Sequence, residues 1–203
     1  MTCIMGHNHP KIAEAVQAQV PKGLVSFQPE TGRDKLAEMM VKRVPSVDKI
    51  WFTLGGSQSF MWAIRAARAY TGRDKIVKIR GGYNGTYDDA LAVPPNPRMP
   101  NGFRGLPKNT LDNVLMMHWN DKEGTEKVLR ENKDDIAAVL TEGLQSGGTI
   151  APKDGYLSFL RETCTKYGIV LIFDEIVNFW LAHGGTGDLY NVEPDMCCYG
   201  KGI

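Results

Sequence analysis

Three short stretches carry residue types that can do chemistry. The first is Leu54-Gly55-Gly56-Ser57-Gln58-Ser59, placed between an apolar run and a helical pattern. Paired glycines let a backbone approach an anion, Ser57 adds a hydroxyl, and a following helix offers unpaired N–H groups with its positive end. A turn with a helix cap is the plainer reading. It fits neither common nucleotide fingerprint: no Lys follows the glycines and no third spaced Gly appears. The second stretch is Ile169-Val170-Leu171-Ile172-Phe173 followed by Asp174-Glu175. A carboxylate at the end of a buried parallel strand sits where α/β folds bind ligands. It can cap, hold magnesium, or pair with the protonated ring nitrogen of a cofactor that serves as an electron sink. The third is Tyr199-Gly200-Lys201-Gly202. Such a lysine is either a solvated turn residue or an amine kept open for a carbonyl by its small neighbours.

The elements that must position these groups alternate. Strands are predicted at Lys49–Leu54, Lys75–Ile79, Asn113–Met117, Ala137–Thr141, Ile169–Phe173 and Met196–Tyr199. Several are apolar on both faces, as a parallel sheet covered by helices requires. Between them, helical spacing predicts a helix from Pro10 carrying Ile12, Ala15, Val16 and Gln19, and a second over Asp34–Arg43 with Leu36, Met39 and Met40 inward. A third has Phe60, Ala63, Ile64 and Ala67 inward, and a fourth is capped by Asp154, carries Tyr156, Leu157, Leu160 and Cys164, and stops at Gly168. The order implies an α/β fold with a mainly parallel sheet and helices on both faces. Val93–Pro107 reads as a long surface loop and a candidate lid.

Composition excludes several classes. The 203 residues suffice for one core, and 42% hydrophobic with 23% charged residues is a globular balance. A net charge of +1 gives no pull toward nucleic acid or an anionic membrane, and no apolar run reaches spanning length. The cysteines Cys3, Cys164, Cys197 and Cys198 form no disulfide framework; the adjacent pair should point to opposite sheet faces. A reducing, cytoplasmic location is expected, although a preceding segment could carry a targeting signal. His7 and His9 read as turn and capping residues, and Arg65, Arg68 and Arg73 as solvated or paired. The chain stops soon after its last strand, so a fragment is expected.

Taken in order, the pieces resemble class III pyridoxal-phosphate-dependent aminotransferases, in the glutamate-1-semialdehyde aminomutase-like branch. The resemblance is carried by Gly6-His7-Asn8-His9-Pro10, by Phe52 through Arg68, by Gly82-Tyr83-Asn84-Gly85-Thr86-Tyr87-Asp88, by Asp174-Glu175-Ile176, and by Gly184-Gly185, Val192–Asp195 and Gly200-Lys201. It implies the large domain of a fold-type-I enzyme over residues 1–203, with the N-terminal segment and small C-terminal domain absent. It implies pyridoxal 5′-phosphate held as an aldimine on Lys201, with Asp174 on the ring nitrogen and Ile176 and Tyr83 on the two ring faces. Gly56 and Ser57 would hold the phosphate. An amino donor and a carbonyl acceptor are the implied partners, with a homodimer in the full-length form. Departures occur at Gly55–Ser59, where the family reads Ser-Gly-Thr-Glu-Ala, at Asn84 for His, at Glu142–Gly147 for Glu-Pro-x-x-Gly-Asn, and at Trp180 for Arg. They bear on substrate and turnover. The alternatives are a non-catalytic or truncated homologue that binds the cofactor weakly or not at all, and a nucleotide-binding α/β protein.

Overall fold

The computed structural model describes residues 3–23, 31–97 and 99–203. Its helices and strands follow in the order α1 (Pro10–Gln19), α2 (Thr31–Arg43), α3 (Gly56–Thr71), β1 (Lys75–Ile79), α4 (Asp88–Leu91), β2 (Val114–Met117), α5 (Lys122–Glu131), β3 (Ile136–Glu142), α6 (Tyr156–Tyr167), β4 (Val170–Asp174), α7 (Gly185–Tyr190) and β5 (Met196–Cys198). The five strands form one sheet in the order β2-β1-β3-β4-β5, with every pairing parallel.

Side chains alternate across this sheet, so each strand feeds two cores. Ile76, Ala138, Leu140, Val170, Ile172 and Cys198 face α3 and the Ala90–Ala92 turn. Val77, Val139, Leu171 and Phe173 face Leu129 of α5 and Tyr156, Leu157, Leu160 and Cys164 of α6. Cys197 packs on this second face, opposite Cys198. The chain runs outward from β1 to β2, then reverses through β3, β4 and β5. Crossovers in opposite directions place helices on opposite faces when each keeps the right-handed sense. The reversal leaves a crevice between the C-terminal ends of β1 and β3.

Three expectations are corrected. Residues 49–54 form no strand. A strand needs a ladder, and among the described residues the sheet ends on that side at β5. Ile50 packs on Met40, Val44 and Phe179, while Trp51 and Leu54 are 74% and 95% exposed. Met39 also faces solvent, so α2 buries Met40 alone of that pair. Finally, α6 is preceded by Gly155 at φ +68°, not capped by the Asp154 side chain. The inner face expected for α3 is buried as read. The Val93–Pro107 excursion is held by paired backbone bonds between Asn96 and Met99, at 3.0 Å each. The arginines near α3 are engaged: Arg68 meets Asp89 at 2.7 Å, Arg73 donates to three backbone carbonyls, and Arg65 lies over the Trp62 ring.

One core position is costly. Lys78 sits in mid-β1, fully buried, with its amine donating to the Ala90 carbonyl and, at 3.4 Å, to that of Ala92. Burial lowers its pKa from 10.5 to about 8. The unfolded chain therefore binds the proton more tightly between those values, and stability rises with pH there. The cost is fully present below about pH 8 and amounts to at most about 3 kcal/mol. Urea unfolding of the full-length protein at pH 7.5 and 10 should show this rise, and Lys78→Met should flatten it. Equal slopes in both proteins would show that folding leaves the Lys78 pKa unshifted.

Candidate active site

The site lies along the C-terminal edge of the sheet. Asp174 ends β4, in register with Glu142 of β3 and Cys198 of β5, and is 5% exposed. Its Oδ2 accepts from Asn84 Nδ2 at 2.8 Å and its Oδ1 from the Ile176 amide at 3.0 Å. Burial pushes its carboxyl up to about 7; Glu142 adds to the rise, while Asn84, Ile176 and the Lys201 charge oppose it. Glu142 is likewise raised by burial and relieved by Ser146, whose amide donates to Oε2 at 2.8 Å. The other oxygen of Glu142 is buried without a protein partner.

Beside this row stands the N-terminus of α3. Its first-turn amides have no acceptor inside the helix, as in any α-helix. Gln58 reaches back to the Leu54 amide at 3.0 Å, and Ser57 Oγ accepts from the Thr86 amide at 3.1 Å. The second bond ties the loop after β1 to this helix. Gly85 makes it possible: at φ +101°, a Cβ there would lie 2.8 Å from Ser57 Cα.

Small residues also let the strand ends meet. A Cβ on Gly56 would fall 2.7 Å from Ile176 Cδ1, and one on Gly200 2.9 Å from the same atom. Ile176 is thus wedged between the start of α3 and the end of β5. Lys201 follows in the left-handed region at φ +56°, exposed, and its charge holds Glu142 and Asp174 lower than burial alone would. Tyr83, 64% exposed, stands next to Asn84 with its ring open to solvent. A groove of about 710 Å³ runs from Lys201 past Trp180 to Ile4, Met5 and Ile12.

All six residues expected from the sequence therefore fall on one edge. Gly56, Ile176 and Gly200 touch, Asp174 joins them through Ile176 and reaches the Tyr83 loop through Asn84, and Ser57 joins that loop through Thr86. Lys201 is linked by charge and chain continuity. Sequence reasoning missed two contributors. Asn84 was visible only as a departure from a family pattern, and Glu142 only as the start of an altered loop. No local signal pairs residue 84 with 174. Glu175 turns out to be architectural: its Oε1 accepts from the Thr186 amide at 2.7 Å, the Thr186 hydroxyl at 2.6 Å and the Gly187 amide at 3.3 Å, fixing the start of α7. His9 occupies the N-cap of α1 but makes no side-chain capping bond there. Among the described residues no cluster of His, Cys, Asp and Glu could hold a metal.

A parallel α/β sheet with a carboxylate, an amine and a helix N-terminus at its C-terminal edge defines an enzyme-type binding crevice. The family model for aminotransferase class-III matches residues 1–203, and the chain belongs to that family. Glutamate-1-semialdehyde 2,1-aminomutase of Methanothermobacter thermautotrophicus is 40% identical over 205 residues, covering 98% of this chain and 48% of the relative. An omega-transaminase from Sphaerobacter thermophilus superposes with a TM-score of 0.92 at 36% identity, covering 99% of this chain and 48% of that one. A structure described as a transaminase with PLP bound gives a TM-score of 0.91 at 33% identity, covering 98% and 48%. The chain spans about half the length of these relatives.

The closeness of Gly85 to Ser57 is testable. Gly85→Ala adds both positive-φ strain and a backbone overlap, and should cost about 2–4 kcal/mol. Urea unfolding reads it directly; a loss under about 0.5 kcal/mol would mean that the loop after β1 does not hold α3 as described.

Proposed function

We propose that the protein carrying this chain is a pyridoxal-phosphate-dependent transaminase or aminomutase, moving an amino group between an amino donor and a carbonyl acceptor. The observation that carries this is the placement of Asp174, Lys201 and the α3 N-terminus on one sheet edge. Family membership and the neighbour that holds PLP support the cofactor. The residues present fit it: a buried acceptor for a ring nitrogen, an exposed amine among glycines, and free helix amides beside a serine for a phosphate.

Pyridoxal 5′-phosphate, when bound, supplies an aldehyde to an amine and a ring that withdraws electrons from the substrate carbon. Asp174 would accept from the ring nitrogen and favour its protonated form. Ser57 and the first-turn amides of α3, which begins at Gly56, bind the phosphate against the positive end of a 16-residue helix. Ile176, fixed between Gly56 and Gly200, forms one wall for the ring, and the open Tyr83 ring forms the other. Lys201 would hold the cofactor covalently through its amine and would serve as the base that moves a proton at the substrate carbon.

Beyond the site, a homodimer in the full-length form fits two features. Helix α1 buries none of its residues and leaves Ile12 and Val16 exposed, and Trp51 and Trp62 form an exposed aromatic pair. A cytoplasmic location fits Cys164, Cys197 and Cys198, which are free thiols. Among the described residues no helix is long and apolar enough to cross a membrane.

The covalent step has a direct test. The full-length protein is loaded with pyridoxal phosphate, reduced with borohydride and mapped by mass. The pyridoxyl group should be found on Lys201, and Lys201→Ala should abolish it while lowering the transamination rate on the order of a thousandfold or more. A label on another lysine would remove Lys201 from its role, and no label at all would overturn the cofactor reading.

A further inference from the structure

Asp174 carries more hydrogen bonding than burial alone explains. Both of its oxygens are taken, one by the Ile176 backbone and the other by Asn84, whose own Oδ1 is buried without a protein partner. An amide that places its NH₂ on this oxygen and leaves its carbonyl unsatisfied is arranged for the carboxylate, not for itself. We propose that Asn84 is a positioning residue for Asp174: its NH₂ orients the carboxylate and favours its ionised form, so that it stands ready as an acceptor for a cationic ring nitrogen. This rests on the pyridoxal-phosphate reading for its purpose, but the Asn84–Asp174 linkage itself does not.

The groups around Asp174 decide the sign of the effect. From β3 comes Glu142, in register, whose negative charge disfavours ionisation; from β5 comes Cys198, whose thiol burial keeps protonated. Lys201 favours ionisation from the exposed edge, and Ile176 and Asn84 favour it by direct bonds. Of these, Asn84 is the one side chain that donates to the carboxylate. With a folded pKa near 7 against an ordinary 3.8, Asp174 contributes stability that is present at low pH and lost as pH rises through about 7. Removing the Asn84 donor raises that value further. The variant therefore loses more stability at pH 8, where the carboxylate is charged, than at pH 5, where it is protonated.

That difference separates positioning from packing. Urea unfolding of the cofactor-free full-length protein is compared at pH 5 and pH 8 for wild type, Asn84→Ala, Asp174→Asn and the double variant. The loss caused by Asn84→Ala should be larger at pH 8, and its pH-dependent part should vanish in the Asp174→Asn background. Asn84→Ser, with a hydroxyl of shorter reach, reads the same difference should Asn84→Ala not fold. Fluorescence titration with pyridoxal phosphate at pH 8 should show binding weakened about tenfold or more, the usual worth of a hydrogen bond to a charged group, and Asn84→His, which restores a donor, should recover most of it. An equal loss at both pH values overturns the proposal, as does unchanged cofactor affinity in a wild type that binds. A wild type that binds no pyridoxal phosphate while the pH-dependent coupling persists would refute the cofactor reading and leave the Asn84–Asp174 linkage standing.

Discussion

Parallel strands point the same way, so every loop that follows a strand emerges on one edge of the sheet. Here that edge receives the segment after β1 with Tyr83 and Asn84, the end of β3 with Glu142, the end of β4 with Asp174, and the end of β5 with Lys201. The direction of the sheet thus gathers residues more than a hundred positions apart without any one of them having to specify the others. What remains for local sequence is fine positioning, and glycine does most of it. Gly56 and Gly200 admit Ile176, and Gly85 admits Ser57. Gly85 meets the Ser57 backbone, so a side chain there would push its loop off α3, whereas one at Gly56 or Gly200 would displace the tip of Ile176.

The same geometry concentrates charge in a poorly solvated place. Glu142, Asp174 and Glu175 are all buried at this edge, and burial raises the pKa of each. Each is stabilised differently. Glu175 accepts three donors at the start of α7 and is spent on architecture. Glu142 is held by the Ser146 backbone amide of its own loop, with help from the side chains of Ser146 and Asn178. Asp174 is served by the side chain of Asn84, from the loop after β1, at 2.8 Å. Solvation by fixed dipoles in place of water is what lets a buried carboxylate keep its charge. The arrangement at Asp174 therefore marks it as the carboxylate whose ionisation matters, whereas Glu142 acts on it chiefly through its own charge.

Much of this was legible in the sequence because burial on both faces leaves an unmistakable trace. Runs such as Ile169–Phe173 and Ala137–Thr141 have no polar face, and helix faces such as Phe60, Ala63, Ile64 and Ala67 repeat at helical spacing. The site residues were legible as short motifs at the ends of those elements. Less legible were features that depend on a neighbour. The apolar run at 49–54 has strand composition but no ladder, because hydrogen-bond partners are a property of the sheet and not of the segment. Asp154 is a good cap by type, yet Gly155 in the left-handed region fixes the entry to α6, and Met39 has the composition of a core residue on the wrong side of α2. The Asn84–Asp174 bond joins residues 90 positions apart, and nothing in either local stretch announces it.

The departures from the family pattern acquire a common physical sense in this setting. Gln58 stands where the family reads Glu, in the first turn of α3. Its amide oxygen still accepts from the Leu54 backbone, so the turn keeps its hydrogen bond while losing a negative charge at the N-terminus of α3. Asn84 stands where the family reads His and still donates to Asp174, but it cannot gain or lose a proton near neutral pH. Both changes preserve a hydrogen bond and remove a titrating group. With them gone, the charge of this edge is governed by Asp174, Glu142 and Lys201, which already act on one another. A site simplified in this way keeps the groups required to hold a ring nitrogen and to offer an amine. It concentrates its pH response on two buried carboxyls, each held lower by the charge of Lys201.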